Sequence, residues 1–149
     1  MTWYFAYGSY MNPDRMKERG VRFYKRIHAV LEGYRLEFNK LSSRNPMEGY
    51  ANIIPNMSEK VEGILYEIEE EGLKMLDRCE GYPQHYCRMK VTVKLDDGRE
   101  IVAVTYIARP EKCRIGLKPT KEYLNHLLKG ADLLSEEYYE KLSKVETLD

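Results

Sequence analysis

The segment Asp96-Asp97-Gly98 restricts the fold more than any other stretch of the chain. It separates two runs, 86–95 and 99–107, that read as strands, and an Asp-Gly pair in that setting supplies the backbone conformation of a tight hairpin turn. The two runs are therefore expected to lie side by side and antiparallel. Further strands are predicted at 2–6, 25–30, 34–38, 50–54 and 61–68, with the polar stretch 39–48 as a loop. In the last of these strands Glu62, Ile64, Tyr66 and Ile68 alternate with Val61, Gly63, Leu65 and Glu67, and the first set reads as the apolar face.

Helices are marked by their ends. Asn12 caps one, Pro13 suits its first position, Asp14 complements the positive end of its dipole and Gly20 stops it. A second is predicted over 69–79: acids open it, Leu73, Leu76 and Cys79 recur at helical spacing, and Gly81 with Pro83 closes it. Thr120 and Ser135 cap two more, through Leu128 and Lys144. Strands outnumber helices and do not alternate regularly with them. The expected fold class is α+β, a small, mixed, mostly antiparallel β-barrel or curved sheet with peripheral helices. A chain of 149 residues fits one domain, 1–149.

Lys and Arg total 24, and so do Asp and Glu, which gives no field favouring nucleic acid or an anionic membrane. Small molecules are the expected partners. Nothing at the start has the form of a secretory signal and no stretch approaches a membrane span, so a cytoplasmic location is expected. Cys79, Cys87 and Cys113 fit neither a paired disulfide framework nor a metal motif, and read as reduced and structural. His28, His85 and His126 are scattered without ligand spacing. No metal and no cofactor is expected.

Two features stand out as candidate chemistry. The strand 2–6, the turn Tyr7-Gly8-Ser9 and the following helix start aim backbone N–H groups at one spot, an arrangement suited to an anion such as a carboxylate. Glu80 lies at the end of the helix 69–79, where its charge faces the negative end of the dipole at a cost of roughly 0.3–1 kcal/mol. Position alone leaves it either an exposed surface acid or a functional one. Tyr7, Tyr86 and Tyr123 are likewise open to packing or function, and the basic run Arg109, Lys112, Arg114 and Lys118 to substrate attraction or plain solvation.

A set of ordered motifs resolves several of these choices by resemblance. Tyr4-Phe5-Ala6-Tyr7-Gly8-Ser9, then Gly49-Tyr50-Ala51-Asn52-Ile53, Val61-Glu62-Gly63-Ile64-Leu65-Tyr66 and Leu76-Asp77-Arg78-Cys79-Glu80-Gly81 resemble the γ-glutamyl cyclotransferase family in order and spacing. The likeness extends to the C-terminal piece Tyr138-Tyr139-Glu140-Lys141-Leu142. It implies a barrel with peripheral helices and release of 5-oxoproline and a free amine from a γ-glutamyl compound by internal cyclisation. It further implies that Tyr7, Gly8 and Ser9 bind the glutamyl moiety, with Tyr10 beside them. Glu80 would be the general acid/base, and Tyr86 and Tyr123 would line the pocket. The family usually has asparagine where this chain has Tyr10, a departure that bears on substrate specificity.

That reaction needs no enzyme nucleophile, because the substrate's own α-amine attacks its γ-carbonyl. It does need a base near the pKa of an ammonium, so Glu80 is expected to be desolvated in a tyrosine-lined pocket. Three rival readings remain at this level. One is a cyclotransferase for γ-glutamylamines, with a different leaving group; the second is a ligand-binding protein that keeps the fold without the activity; the third is a plain structural domain with no ligand. Both a monomer and a homodimer are open.

Overall fold

The Asp96-Asp97-Gly98 turn joins strands β4 (Tyr86–Lys94) and β5 (Glu100–Ala108), which pair antiparallel from Tyr86↔Ala108 to Lys94↔Glu100. The computed structural model describes residues 1–149. Three further strands, β1 (Thr2–Ala6), β2 (Phe23–Leu41) and β3 (Gly49–Ile68), close a barrel in the order β1-β3-β2-β4-β5. All neighbours are antiparallel except β1 and β5, which run parallel. Closure leaves the sheet without an open edge.

The four short strands expected over 25–68 are two long ones. Three register shifts, at Phe23/Lys25, Glu32/Tyr34 and Glu37/Lys40, let β2 and β3 bend around the barrel while staying paired. Gly33, which reads as a break, sits in the second shift with φ 85° and lets the strand turn without ending. The loop expected from residue 39 starts later, because Lys40 and Leu41 still pair with Tyr50 and Gly49.

The expectation of a single apolar face on 61–68 is also corrected. Val61 and Leu65 point into the barrel with Phe5, Leu31, Ile53 and Val93. Ile64, Tyr66 and Ile68 point outward, yet they are equally buried beneath the helices. A barrel wall covered by helices has two cores, so its strands lose the one-sided alternation of a solvent-facing sheet.

Four helices provide that cover: α1 (Pro13–Glu18), α2 (Glu70–Cys79), α3 (Lys121–Leu128) and α4 (Glu136–Ser143). Asn12, Thr120 and Ser135 cap α1, α3 and α4 through their side-chain oxygens. Leu73 and Leu76 of α2 are buried in the outer core. Replacing such a leucine with alanine typically costs about 2–5 kcal/mol, so these contacts fix where the end of α2 lies. At the far side, Glu62 ties α4 to the barrel. It accepts from Ser135 N (2.9 Å) and Ser135 Oγ (2.5 Å) and meets His28 Nε2 at 2.9 Å. His28 Nδ1 in turn lies 2.6 Å from Asp96 of the hairpin turn.

Candidate active site

One cavity of about 550 Å³ is lined by all seven residues singled out from the sequence: Tyr7, Gly8, Ser9, Tyr10, Glu80, Tyr86 and Tyr123. It is of the size usual for a small-molecule site. Tyr4, Arg15, Lys40 and His85, which the sequence did not single out, line it as well.

The chain reaches the cavity from β1. After Ala6 it turns at Gly8 into a single tight helical turn, Ser9–Met11, and then into α1. Gly8 has φ −115° and ψ −138°, so the demand for glycine does not come from a positive φ. The demand comes from close approach: a Cβ at Gly8 would lie 3.1 Å from Ala51 Cβ and 3.6 Å from Tyr123 Oη. The backbone N–H of Gly8 has no acceptor in the protein. Arg15 borders the same turn, donating Nε–H to Ser9 Oγ (3.2 Å) with its guanidinium 5.6 Å from the Tyr10 ring centre.

Ala51 organises the opposite wall. It sits at the third register shift, where Glu37 faces Asn52 and Lys40 faces Tyr50. Two tyrosines take up its backbone groups: the Ala51 N–H donates to Tyr123 Oη (3.0 Å), and Tyr86 donates to the Ala51 carbonyl (2.8 Å). Tyr7 donates to the Tyr106 carbonyl (2.6 Å). Tyr7 and Tyr86 thus have their hydroxyl protons committed to the protein, whereas Tyr123 only accepts and keeps its own. The hydroxyls of Tyr4 and Tyr10 have no protein acceptor. Burial, reinforced by the nearby Glu80 charge, raises the pKa of both, so they are neutral donors.

Glu80 follows the last turn of α2, and its N–H donates to the Leu76 carbonyl at 2.8 Å. Gly81, with φ 63°, then turns the chain away. The neighbouring acid Asp77 is bound on the outer side by Arg88 (2.9 Å to Oδ1) and Tyr106 (2.6 Å). Glu80 has nothing comparable, for no N–H or O–H of the protein donates to its carboxylate. Glu80 is half-buried, and it lines the cavity. Desolvation pushes its pKa up to about 7, against the opposing pull of Arg15, Lys40 and Arg19. That is the direction a tyrosine-lined setting leads one to expect, and at neutral pH this group can both accept and release a proton.

Lys40 brings a cation to the wall formed by Tyr50, Tyr86 and His85. Its Nζ lies 3.0 Å from His85 Nδ1. Because an ammonium can only donate, Nδ1 is the acceptor and His85 carries its proton on Nε2. Burial, then Lys40 and Lys112, lower the pKa of His85, in keeping with a neutral ring. The basic run 109–118 does not line the cavity: Lys118 pairs with Glu146, while Arg109 and Arg114 donate to backbone carbonyls. No three His, Cys, Asp or Glu side chains gather as metal ligands would.

The family model for gamma-glutamyl cyclotransferases of the AIG2-like type matches residues 4–126. The chain belongs to this family. Human gamma-glutamylcyclotransferase is 27% identical over 152 residues, covering 98% of this chain and 79% of the human protein. A solved structure of a gamma-glutamyl cyclotransferase superposes with a TM-score of 0.88 at 27% identity, covering 99% of this chain and 89% of the other. A Methanocaldococcus jannaschii relative, provisionally named a gamma-glutamylcyclotransferase, is 44% identical over 71 residues; the match spans 44% of this chain and 58% of that relative. The family match ends at His126, in α3, so α4 lies outside it. The cavity residues from Tyr4 to Tyr123 fall inside it.

Proposed function

We propose that this chain is a γ-glutamyl cyclotransferase in which Glu80 is the general acid/base. The observation that carries the reading is the Glu80 carboxyl: enclosed, without a hydrogen-bond donor, and facing the same cavity as the Gly8–Tyr10 turn. The substrate's α-ammonium gives a proton to Glu80, and the freed amine attacks the γ-carbonyl carbon. The tetrahedral oxyanion collapses as Glu80 gives its proton to the leaving nitrogen and that C–N bond breaks. The second proton, shed by the attacking nitrogen as it becomes the lactam N–H, passes through Glu80 to the released amine, which leaves as an ammonium. The products are 5-oxoproline and a free amine, and the carboxylate is regenerated.

Desolvation matters quantitatively here. An α-ammonium with pKa about 7.7–8 lies about 3.5 units above an ordinary glutamate, a gap of roughly 5 kcal/mol. With Glu80 at about 7 the gap falls to about one unit. The Gly8 N–H and the Tyr10 hydroxyl are the donors best suited to the glutamyl α-carboxylate, with Arg15 adding positive charge nearby. Tyr7, Tyr86 and Tyr123 shape the pocket mainly by holding its backbone in place. No helix is long and apolar enough to cross a membrane. The reading carries a reducing, cytoplasmic setting, which suits three free cysteines.

The test is incubation of the protein with a panel of γ-glutamyl amino acids and γ-glutamylamines, following 5-oxoproline by mass spectrometry. Product formed by the parent and not by Glu80→Gln supports the reading. Equal turnover by the two would remove Glu80 from the mechanism, and no product across the panel would remove the activity.

A further inference from the structure

Most buried charges in this protein are answered by a partner. Glu48, fully buried, takes two hydrogen bonds from Arg44; Glu62 is held by His28 and Ser135; Arg26 pairs with Asp132. Lys40 is different. It is 4% exposed, and its ammonium donates only to the Leu41 carbonyl (3.0 Å) and to neutral His85 (3.0 Å). An ammonium has three donors, so one remains, and no carboxylate of the protein bonds to it. The rings of Tyr50 and Tyr86 lie 5.9 and 5.7 Å from Nζ, which favours the cation in place. Burial, with Lys112 adding to it, still lowers its pKa.

Lys40 also stands apart from Arg15, one of the four arginines that line the same cavity with Arg19, Arg44 and Arg78. Arg15, on α1, borders Ser9 and Tyr10, the end assigned above to the glutamyl moiety. Lys40 projects from β2, among Tyr50 of β3, Tyr86 of β4 and His85. A γ-glutamyl substrate bound at the first end presents its leaving group to the second. We propose that Lys40 is a specificity-determining residue that pairs with a carboxylate on the leaving group, so that γ-glutamyl amino acids are preferred over γ-glutamylamines. This inference rests on the cyclotransferase reading.

A matched pair of substrates isolates the contact: γ-glutamyl-alanine and γ-glutamyl-ethylamide differ only in the carboxylate of the leaving amine. A hydrogen bond between charged partners contributes about 1.5–3 kcal/mol, a preference of roughly 10- to 150-fold in kcat/KM. The parent is expected to favour the alanine substrate in that range, mainly through KM. In Lys40→Met, which keeps the length of the stem, the preference should collapse toward one; Lys40→Arg should retain part of it. Should the methionine variant fail to fold, Lys40→Gln, which keeps a polar stem without the charge, takes its place in the same ratio measurement. Turnover of both substrates at equal efficiency by the parent overturns the inference while leaving the cyclotransferase reading intact. A preference that survives in folded Lys40→Met also overturns it. No turnover of either substrate by folded parent protein fails the reading and takes the inference with it.

Discussion

Glu62 and Glu80 are both glutamates drawn out of bulk water, and the protein treats them in opposite ways. At Glu62, burial alone would raise the pKa, but two bonds from Ser135 and the contact with His28 outweigh it and leave the carboxyl below the ordinary range. At Glu80 burial acts unopposed by any hydrogen bond, and the distant cations recover only part of the loss. His28 completes the contrast: burial works against its charged form, yet Asp96 and Glu62 hold the pKa up. Three groups thus form a satisfied network at one end, and one carboxyl is left poised at the other. A structural acid and a candidate catalytic one are told apart here by counting donors, not charges.

The largest effect is expected from Glu80→Gln. We expect kcat for 5-oxoproline release to fall by about 10³-fold, within the range typical of general acid–base catalysis, while the melting temperature holds or rises. Steady-state kinetics beside thermal unfolding checks both halves. A second, smaller effect is in stability. A carboxyl whose folded pKa is raised favours the folded state fully below its unfolded pKa, and this contribution is lost as pH rises from about 4.5 to about 7. At pH 8, Glu80→Gln should therefore be more stable than the parent by up to about 3 kcal/mol, and the gap should close near pH 4.5; urea unfolding at the two pH values measures it.

Glu62→Gln should behave in reverse. It weakens charge-assisted bonds to His28 and Ser135, and we expect a loss of about 2 kcal/mol with kcat within about threefold of the parent. The depressed pKa of Glu62 gives it the opposite pH sign: its contribution is present above the ordinary glutamate pKa and fades in acid. The smallest effect expected is for Tyr86→Phe. Loss of the donor to the Ala51 carbonyl should cost about 1 kcal/mol, with activity reduced through the looser wall. A loss of turnover as large as that of Glu80→Gln would instead give the Tyr86 hydroxyl a direct part in the chemistry.

Local signals in the chain carried much of this. The Asp97-Gly98 turn, the capping residues Asn12, Thr120 and Ser135, and the close of α2 at Gly81 are each decided by neighbours within a few residues, and the structure follows them. The strands 2 and 3 were harder to read, because Gly33 and the polar Asn39-Lys40 pair look like breaks unless the partner strand is in view. Lys40 was hidden for the same reason, since a lysine in a polar stretch gives no sign that its ammonium ends between two tyrosine rings. Glu80 was visible as a misplaced charge at a helix end, and only the ordered motifs of the family turned that oddity into a proposed role. The Ala51 clamp by Tyr86 and Tyr123 joins residues 35 and 72 positions away, beyond any local pattern.

The proposed role of Glu80 depends on a carboxyl held in the cavity without donors. Its carboxyl can be titrated directly by carbon NMR in protein labelled at glutamate side chains, with Glu80→Gln assigning the resonance. A midpoint near 7, well separated from the other glutamates, is the result the account requires. A midpoint at or below the ordinary 4.5 would contradict it, and with it the use of Glu80 as the proton carrier.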